Sequence, residues 1–349
     1  MSVEQVTKYH PDKACDIISD TLLTEYLSKD PNSRCAIETM WKGDTVIVAG
    51  EVTSKAEGIF PVTTVRNVAK DLGYKADRVI DLLAHQSPEI SKAVNKEVLV
   101  NGTVKTIGAG DQGMMWGYAT RETESLLPYG FDLANHIVSV LEDHVRDGVI
   151  QGDAKVMVSY SPEWRNVSGV RQVLISACQR EHINRVELFG WLKELFADEP
   201  FVMEDKLVVN PGGEWKHGGP SVDCGLTGRK IVCDQYGGGY PVGGGAFSGK
   251  DPTKVDRSGA YMARRIACDL LHDEELDTCK VQLSYEIGVP EPVGVSVYAD
   301  GCLSQRMSMN VKLNYDLTPR GIIDFLHLDK IDYGKLASGC HYRDRMFLG

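Results

Sequence analysis

Residues 12–72 decide the architecture: DKACDIISDTLLTEYLSK (12–29), RCAIETMW (34–41), TVIVAGEVT (45–53) and PVTTVRNVAKDL (61–72). In the first segment Ala14, Ile17, Ile18, Leu22 and Tyr26 recur at helical spacing behind Pro11-Asp12, a helix-start signal. The next two are β-rich runs separated by Lys42-Gly43-Asp44, the pattern of a hairpin. The fourth returns to helical spacing, so the unit reads helix, hairpin, helix.

The same order recurs twice. Leu133–Arg146 is helical, Ala154–Tyr160 and Val170–Ala177 are strand-like, and Glu181–Phe196 is helical. Pro252–Leu271 is helical, Lys280–Gly288 and Gly294–Ala299 are strand-like, and Gln305–Asn314 is helix-like. Three such units predict an α+β fold of three similar helix/β-sheet domains with approximate threefold pseudo-symmetry, bounded at 1–100, 101–221 and 222–349. An isolated hairpin is only marginally stable, so each sheet must bury one face on helices or on another sheet, and the pattern leaves both arrangements open. The connections Asn101–Gly117 and Asn210–Gly249 are too rich in glycine for regular elements and are expected to be functional loops.

Composition narrows the function. A chain of 349 residues with 42% hydrophobic and 25% charged residues has an ordinary globular makeup and room for two or three packed units. The formal net charge of -11 argues against a general nucleic-acid surface, so an anionic ligand must meet a local positive site. Apolar runs fall far short of the roughly 20 residues that cross a bilayer. The start, Met-Ser-Val-Glu-Gln, lacks the pattern of a secretory signal, and a cytoplasmic protein is expected. The nine cysteines stand singly, with no C-x-x-C pair to suggest zinc or a redox dithiol.

The densest chemical signal is GGGAFSGKDPTKVDRS (243–258). Its glycines let backbone N–H groups approach phosphates, and a helix expected to begin at Asp251-Pro252 turns its positive end to the loop. Gly244 to Lys250 fits G-x-x-x-x-G-K, but Asp251 follows where a Walker loop needs Ser or Thr for magnesium. A helix cap behind a flexible turn is the bland alternative, which Lys250, Lys254 and Arg257 disfavour. Asp256 is suited to a divalent cation beside phosphates. His10-Pro11-Asp12-Lys13 sets a titratable ring and a cation at a helix start, where Asp12 reads first as the cap. Gly108–Gly113 and Asp223–Lys230 combine glycines with an acid, and the second adds Arg229 and Lys230; alone, each is more often a turn. Glu38 and Glu51 interrupt the two hairpin arms, where a solvated face is the first reading.

Taken together, HPDKACDIISD (10–20), GEVTS (50–54), GAGDQGMMWGYAT (108–120), GGPSVDCGLTGRKIVCDQYGG (218–238) and GGGAFSGKDPTKVDRSGAYMARRIA (243–267) closely resemble the methionine adenosyltransferases, or S-adenosylmethionine synthetases, over most of the chain. The resemblance implies transfer of the adenosyl group of ATP to L-methionine, with water, pyrophosphate and phosphate completing the reaction. It also implies a homodimer, or a dimer of dimers, with active sites between subunits. Cofactors implied are two Mg2+ per site and K+. Carried over by motif, Asp12 and Asp256 are magnesium ligands and Glu38 a potassium ligand. Glu51, Gln86 of His85-Gln86-Ser87-Pro88, Asp111, Asp223 and Lys254 match methionine-side positions. His10, Lys155, Trp215, Asp223, Arg229, Lys230, Lys250 and Lys254 match the surroundings of ATP, Trp215 against adenine. Catalysis falls to His10, Lys155, Arg229, Lys250 and Lys254.

The sequence departs from the family pattern at four places. Lys8-Tyr9 stands where Glu-Gly is usual, Glu214 replaces a basic residue in Asn210–Trp215, Gln179 replaces a common histidine, and the chain stops at Gly349 where the family usually continues. The sequence leaves two rival readings. One is a phosphotransferase using the glycine loop as a P-loop, and the other is a nucleotide-binding relative without turnover.

Overall fold

The computed structural model describes residues 1–85, 98–100, 103–161, 169–203 and 205–348. In chain order the elements are β1 (Ser2–Val6), α1 (Pro11–Lys29), β2 (Arg34–Lys42), β3 (Thr45–Thr53), α2 (Pro61–Asp71), β4 (Arg78–Ala84), β5 (Val98–Val100), β6 (Thr103–Thr106) and β7 (Gly113–Thr120). They continue with α3 (Tyr129–Asp143), β8 (Ile150–Tyr160), β9 (Val170–Gln179), α4 (Arg185–Leu195), α5 (Pro200–Met203) and β10 (Leu207–Val209). The last third holds β11 (Gly225–Leu226), α6 (Ile231–Gln235), α7 (Val255–Asp273), β12 (Thr278–Tyr285), β13 (Gly294–Ala299), β14 (Cys302–Leu303), α8 (Gln305–Asn314), α9 (Pro319–Leu326) and α10 (Tyr333–Leu336).

Among the described residues these strands form three four-stranded sheets, ordered β11-β2-β3-β4, β1-β8-β9-β10 and β14-β13-β12-β7, and a ribbon β5-β6. At the centre of each sheet lies one of the hairpins expected from sequence. Each outer strand beside the first arm comes from elsewhere in the chain, and the exchange is cyclic. β1 precedes α1 but pairs antiparallel with β8, Ser2 opposite Ser159. β7 precedes α3 but pairs with β12, Thr278 opposite Thr120. β11 precedes α7 but pairs with β2, Gly225 opposite Trp41. The three units are thereby stitched together, and each sheet crosses the bounds of its own third of the sequence.

Helices cover one face of each sheet, which decides the packing question left open above. α1 lies on β2 and β11, α3 on β1 and β8, and α7 on β7 and β12. The alternation is visible in β2, where Cys35, Ile37, Thr39 and Trp41 are buried while Glu38, Met40 and Lys42 are exposed. Burying side chains of this size contributes roughly 1.5–3 kcal/mol each. The opposite sheet faces are open in the single chain, with Met40 and Leu82 exposed on the first sheet and Met114 and Leu303 on the third.

Two expectations are corrected. The glycine-rich connections do contain regular elements: β6 and most of β7 fall within 101–117, and β11 and α6 within 210–249. In β7 the glycine is a packing device, because a Cβ at Gly117 would collide with the Ala263 carbonyl of α7. The helix after the glycine loop begins at Val255, not at Asp251-Pro252. Asp251 accepts hydrogen bonds from the Thr253 amide and hydroxyl and from Lys254 Nζ, which winds residues 251–254 into a turn ahead of the helix.

Candidate active site

Two groups of charged side chains form along α1. The first is at its N-terminus, and it corrects the capping expectation. His10, not Asp12, is the N-cap: its Nδ1 accepts from the Asp12 amide at 3.2 Å, with Pro11 in the first helical position. Asp12 is fully buried and turned toward the last third of the chain. It accepts from the Leu226 amide at 2.9 Å and from Lys230 Nζ at 2.6 Å, and Arg229 Nε lies at 3.2 Å. Pairing β11 with β2 is what carries Arg229 and Lys230 to this end of α1.

Burial, then Lys230, pushes the His10 imidazole down to about 4, against the opposing pull of Asp12 and Asp223. The ring is therefore neutral at pH 7. Because Nδ1 accepts, its proton sits on Nε2, which leaves the ring one N–H donor. Lys155 lies close enough to add to the lowering, and its ammonium rests on Glu4 at 2.6 Å across the sheet. Asp223 is exposed and binds the following amide, Cys224 N, at 2.9 Å. Trp215 is half-buried, with its indole N–H on His217 O at 2.6 Å. The segment after it reaches Asp153, whose Oδ2 accepts from the Gly219 amide at 2.7 Å.

Asp153 was missed in the sequence. It is 3% exposed, its Oδ1 is without a hydrogen-bond partner among the described residues, and burial lifts its carboxyl to about 6. It sits where β8 shifts register against β9, between Ile150 and Ala154, and Lys155, two residues on, is the one local hint. Gln179 is fully buried and accepts from Asn210 Nδ2 at 3.0 Å, while its amide donates to Trp215 O at 2.8 Å. The residue that departs from the family pattern thus anchors the tryptophan segment.

The second group lies two helical turns further along α1. Lys250 is ion-paired with Asp256 in the first turn of α7. Gly113 and Gly245 pack against the Asp256 carboxylate, and Gly110 packs against Lys254, so the Gly108–Gly113 loop joins this group and presents the exposed Asp111. Lys254 points elsewhere, to Asp251 Oδ1 at 2.7 Å and Cys35 O at 2.9 Å. Burial alone would raise the Asp251 carboxyl, but Lys254 and Arg34 outweigh it and hold it below the usual value. Ala36 of β2 bridges to Lys250, and Glu38, exposed, and Glu51, half-exposed, stand on the same outward sheet face. Gln86 lies outside the described residues.

Asp12 accepts from Leu226 and Asp20 from Gly249, and eight residues of helix put these anchors about 12 Å apart along the axis. The chain therefore brings His10, Asp12, Asp153, Asp223, Arg229 and Lys230 together at one level. It brings Lys250, Asp256, Lys254 and the Asp111 loop together at another. In each group a hard-oxygen carboxylate, Asp12 or Asp256, stands beside lysine, the donor chemistry that suits magnesium held jointly with phosphate oxygens.

Three family models match successive parts of the chain: S-adenosylmethionine synthetase N-terminal domain over residues 1–98, central domain over 106–215 and C-terminal domain over 217–348. The S-adenosylmethionine synthase of Petrotoga mobilis is 40% identical over 97% of this chain and 92% of its own. That of Brachyspira hyodysenteriae is 39% identical over 98% and 92%. Among solved structures, an unusual S-adenosylmethionine synthetase from Campylobacter jejuni superposes with a TM-score of 0.84 at 31% identity, covering 99% of this chain and 96% of that one.

Proposed function

The chain belongs to the S-adenosylmethionine synthetase family and is a methionine adenosyltransferase, and we propose that its two charged groups are complementary halves of one active site completed between two copies of the chain. In the proposed reaction the methionine sulfur attacks C5′ of ATP. The S–C5′ bond forms as the C5′–O bond breaks, and the triphosphate leaves with the electron pair before hydrolysis to pyrophosphate and phosphate. A thioether needs no deprotonation, so the chain's task is positioning and stabilising the departing charge.

Arg229 and Lys230 from one half and Lys250 from the other would hold the triphosphate. Neutral His10 would donate its Nε2 proton in a hydrogen bond to a leaving-group oxygen. Trp215 and Asp153 line the side suited to the nucleoside, and Asp111 and Glu51 the side suited to the methionine amino group. Lys254, turned to Asp251, would act by fixing the loop that carries Lys250. Asp12 and Asp256 would hold magnesium and Glu38 potassium, which neutralise phosphate charge and order the site when bound.

The observation that carries this reading is the gathering of Arg229 and Lys230 on buried Asp12, beside an imidazole kept neutral. The two-copy arrangement is supported by apolar side chains on the open sheet faces, Met40 and Leu82 on the first and Met114 and Leu303 on the third, all more than one-third exposed. Among the described residues no helix is long and apolar enough to cross a membrane. Incubation with ATP, methionine, Mg2+ and K+ followed by mass spectrometry is expected to give S-adenosylmethionine, pyrophosphate and phosphate. A folded preparation that forms none overturns the reading.

A further inference from the structure

Asp12, Asp16 and Asp20 recur every fourth residue along one side of α1, and all three are fully buried. Each uses one oxygen for a single backbone N–H from the last third of the chain. Leu226 N donates to Asp12 Oδ1 at 2.9 Å, Gly228 N to Asp16 Oδ1 at 2.8 Å and Gly249 N to Asp20 Oδ1 at 2.7 Å. The other oxygen faces a cation: Lys230 for Asp12, Lys13 at 3.3 Å for Asp16 and Arg257 at 2.5 Å for Asp20. Arg257 also donates to the Lys250 carbonyl at 3.0 Å.

Gly228 immediately precedes Arg229 and Lys230, and Gly249 immediately precedes Lys250. Both glycines have left-handed backbone, φ +78° and +79°, and a Cβ would collide with Ala246 at one and the Ile37 carbonyl at the other. The backbone is therefore gripped from both sides at the residue before each phosphate-directed cation. We propose that Asp16 and Asp20 are positioning residues, which hold Gly228 and Gly249 on α1 so that Arg229–Lys230 and Lys250 are aimed at the triphosphate. The inference rests on the reading that those cations hold the phosphates.

The test compares Asp16→Leu, which removes the acceptor at similar size, with Asp16→Asn, which keeps an oxygen for Gly228. A misplacement of about 1 Å can cost on the order of 100-fold. Asp16→Leu is expected to lower kcat/KM for ATP by about that factor, with weaker inhibition by tripolyphosphate and an unchanged KM for methionine. Asp16→Asn should recover most of the loss. Proportional loss of activity with unchanged ATP KM and tripolyphosphate affinity would mean a merely structural role and overturn the proposal. If Asp16→Leu does not fold, Gly228→Ala carries the same two outcomes, because it displaces the segment and leaves Asp16 in place. Lys230→Met separates the premise. If that variant leaves ATP kinetics untouched the phosphate reading fails, whereas an impaired Lys230→Met beside an ATP-normal Asp16→Leu defeats the positioning role alone.

Discussion

Replacing Asp153 by Asn should make the protein more stable at neutral pH and less active. The carboxyl is 3% exposed, one oxygen lacks a hydrogen-bond partner among the described residues, and burial, with Asp223 adding, raises it from 3.8 to about 6. The native state thus binds this proton more tightly than the unfolded chain does. Its contribution to stability is full below pH 4, declines as pH rises from about 4 to about 6, and stays lost above that. Moving the group from 3.8 to about 6 corresponds to roughly 3 kcal/mol at neutral pH. Asn keeps an acceptor for the Gly219 amide and removes the buried charge, so the variant should recover up to that amount, about 4 °C in Tm for a chain of this length. Thermal melts of both proteins at pH 4.5, 6 and 7.5 should show a gap that opens as pH rises. A gap independent of pH, or one of opposite sign, refutes the reasoning. If Asp153 lines the proposed nucleoside side of the site, losing its charged acceptor should also lower kcat/KM for ATP about tenfold or more.

Lys250→Met should reduce kcat by about 100-fold or more while costing roughly 1 kcal/mol of stability, read from initial rates and melts on the same sample. Gly117→Ala should destabilise by about 3 kcal/mol, because the new Cβ meets the Ala263 carbonyl of α7; a Tm within 1 °C of wild type, roughly, would show that the helix can move away. Met40→Glu places a charge on the open face of the first sheet and should shift sedimentation toward the single chain, with activity falling in parallel. Chelation of divalent cations should abolish product formation while far-ultraviolet circular dichroism is retained.

The parts of the fold that could be read in the sequence are those whose pairing is local. β2 and β3 are joined by Gly43 and Asp44, and their alternation announces which face is buried. β1 could not be read, because five residues with three polar positions become a strand only by pairing with residues 155–159. β7 was hidden by its glycines, which the sequence offers as loop signals and α7 uses as clearance. The same division holds for the site. Lys250, Arg229 and Lys230 stood out because cations beside glycine are unusual in one segment. Asp153 did not, because what sets it apart is burial beside Gly219, contributed by a segment 66 residues away.

Helix α1 shows why part of the site stays hidden in the sequence. Ala14, Ile18 and Leu22 are buried, as the apolar stripe requires, but Asp12, Lys13, Asp16, Ser19 and Asp20 on the other sides are buried too. In a sequence those residues look like the solvated side of an amphipathic helix. Stability does not explain them, because buried ion pairs barely offset their desolvation and apolar replacements are often neutral or better. What they supply is direction. A carboxylate that accepts one fixed amide and faces one fixed cation holds a loop in a single orientation, which apolar contact does loosely. The charges inside α1 therefore set the aim of the cations at both of its levels, and sequence periodicity cannot reveal this because the partners, Leu226, Gly228 and Gly249, are more than 200 residues away.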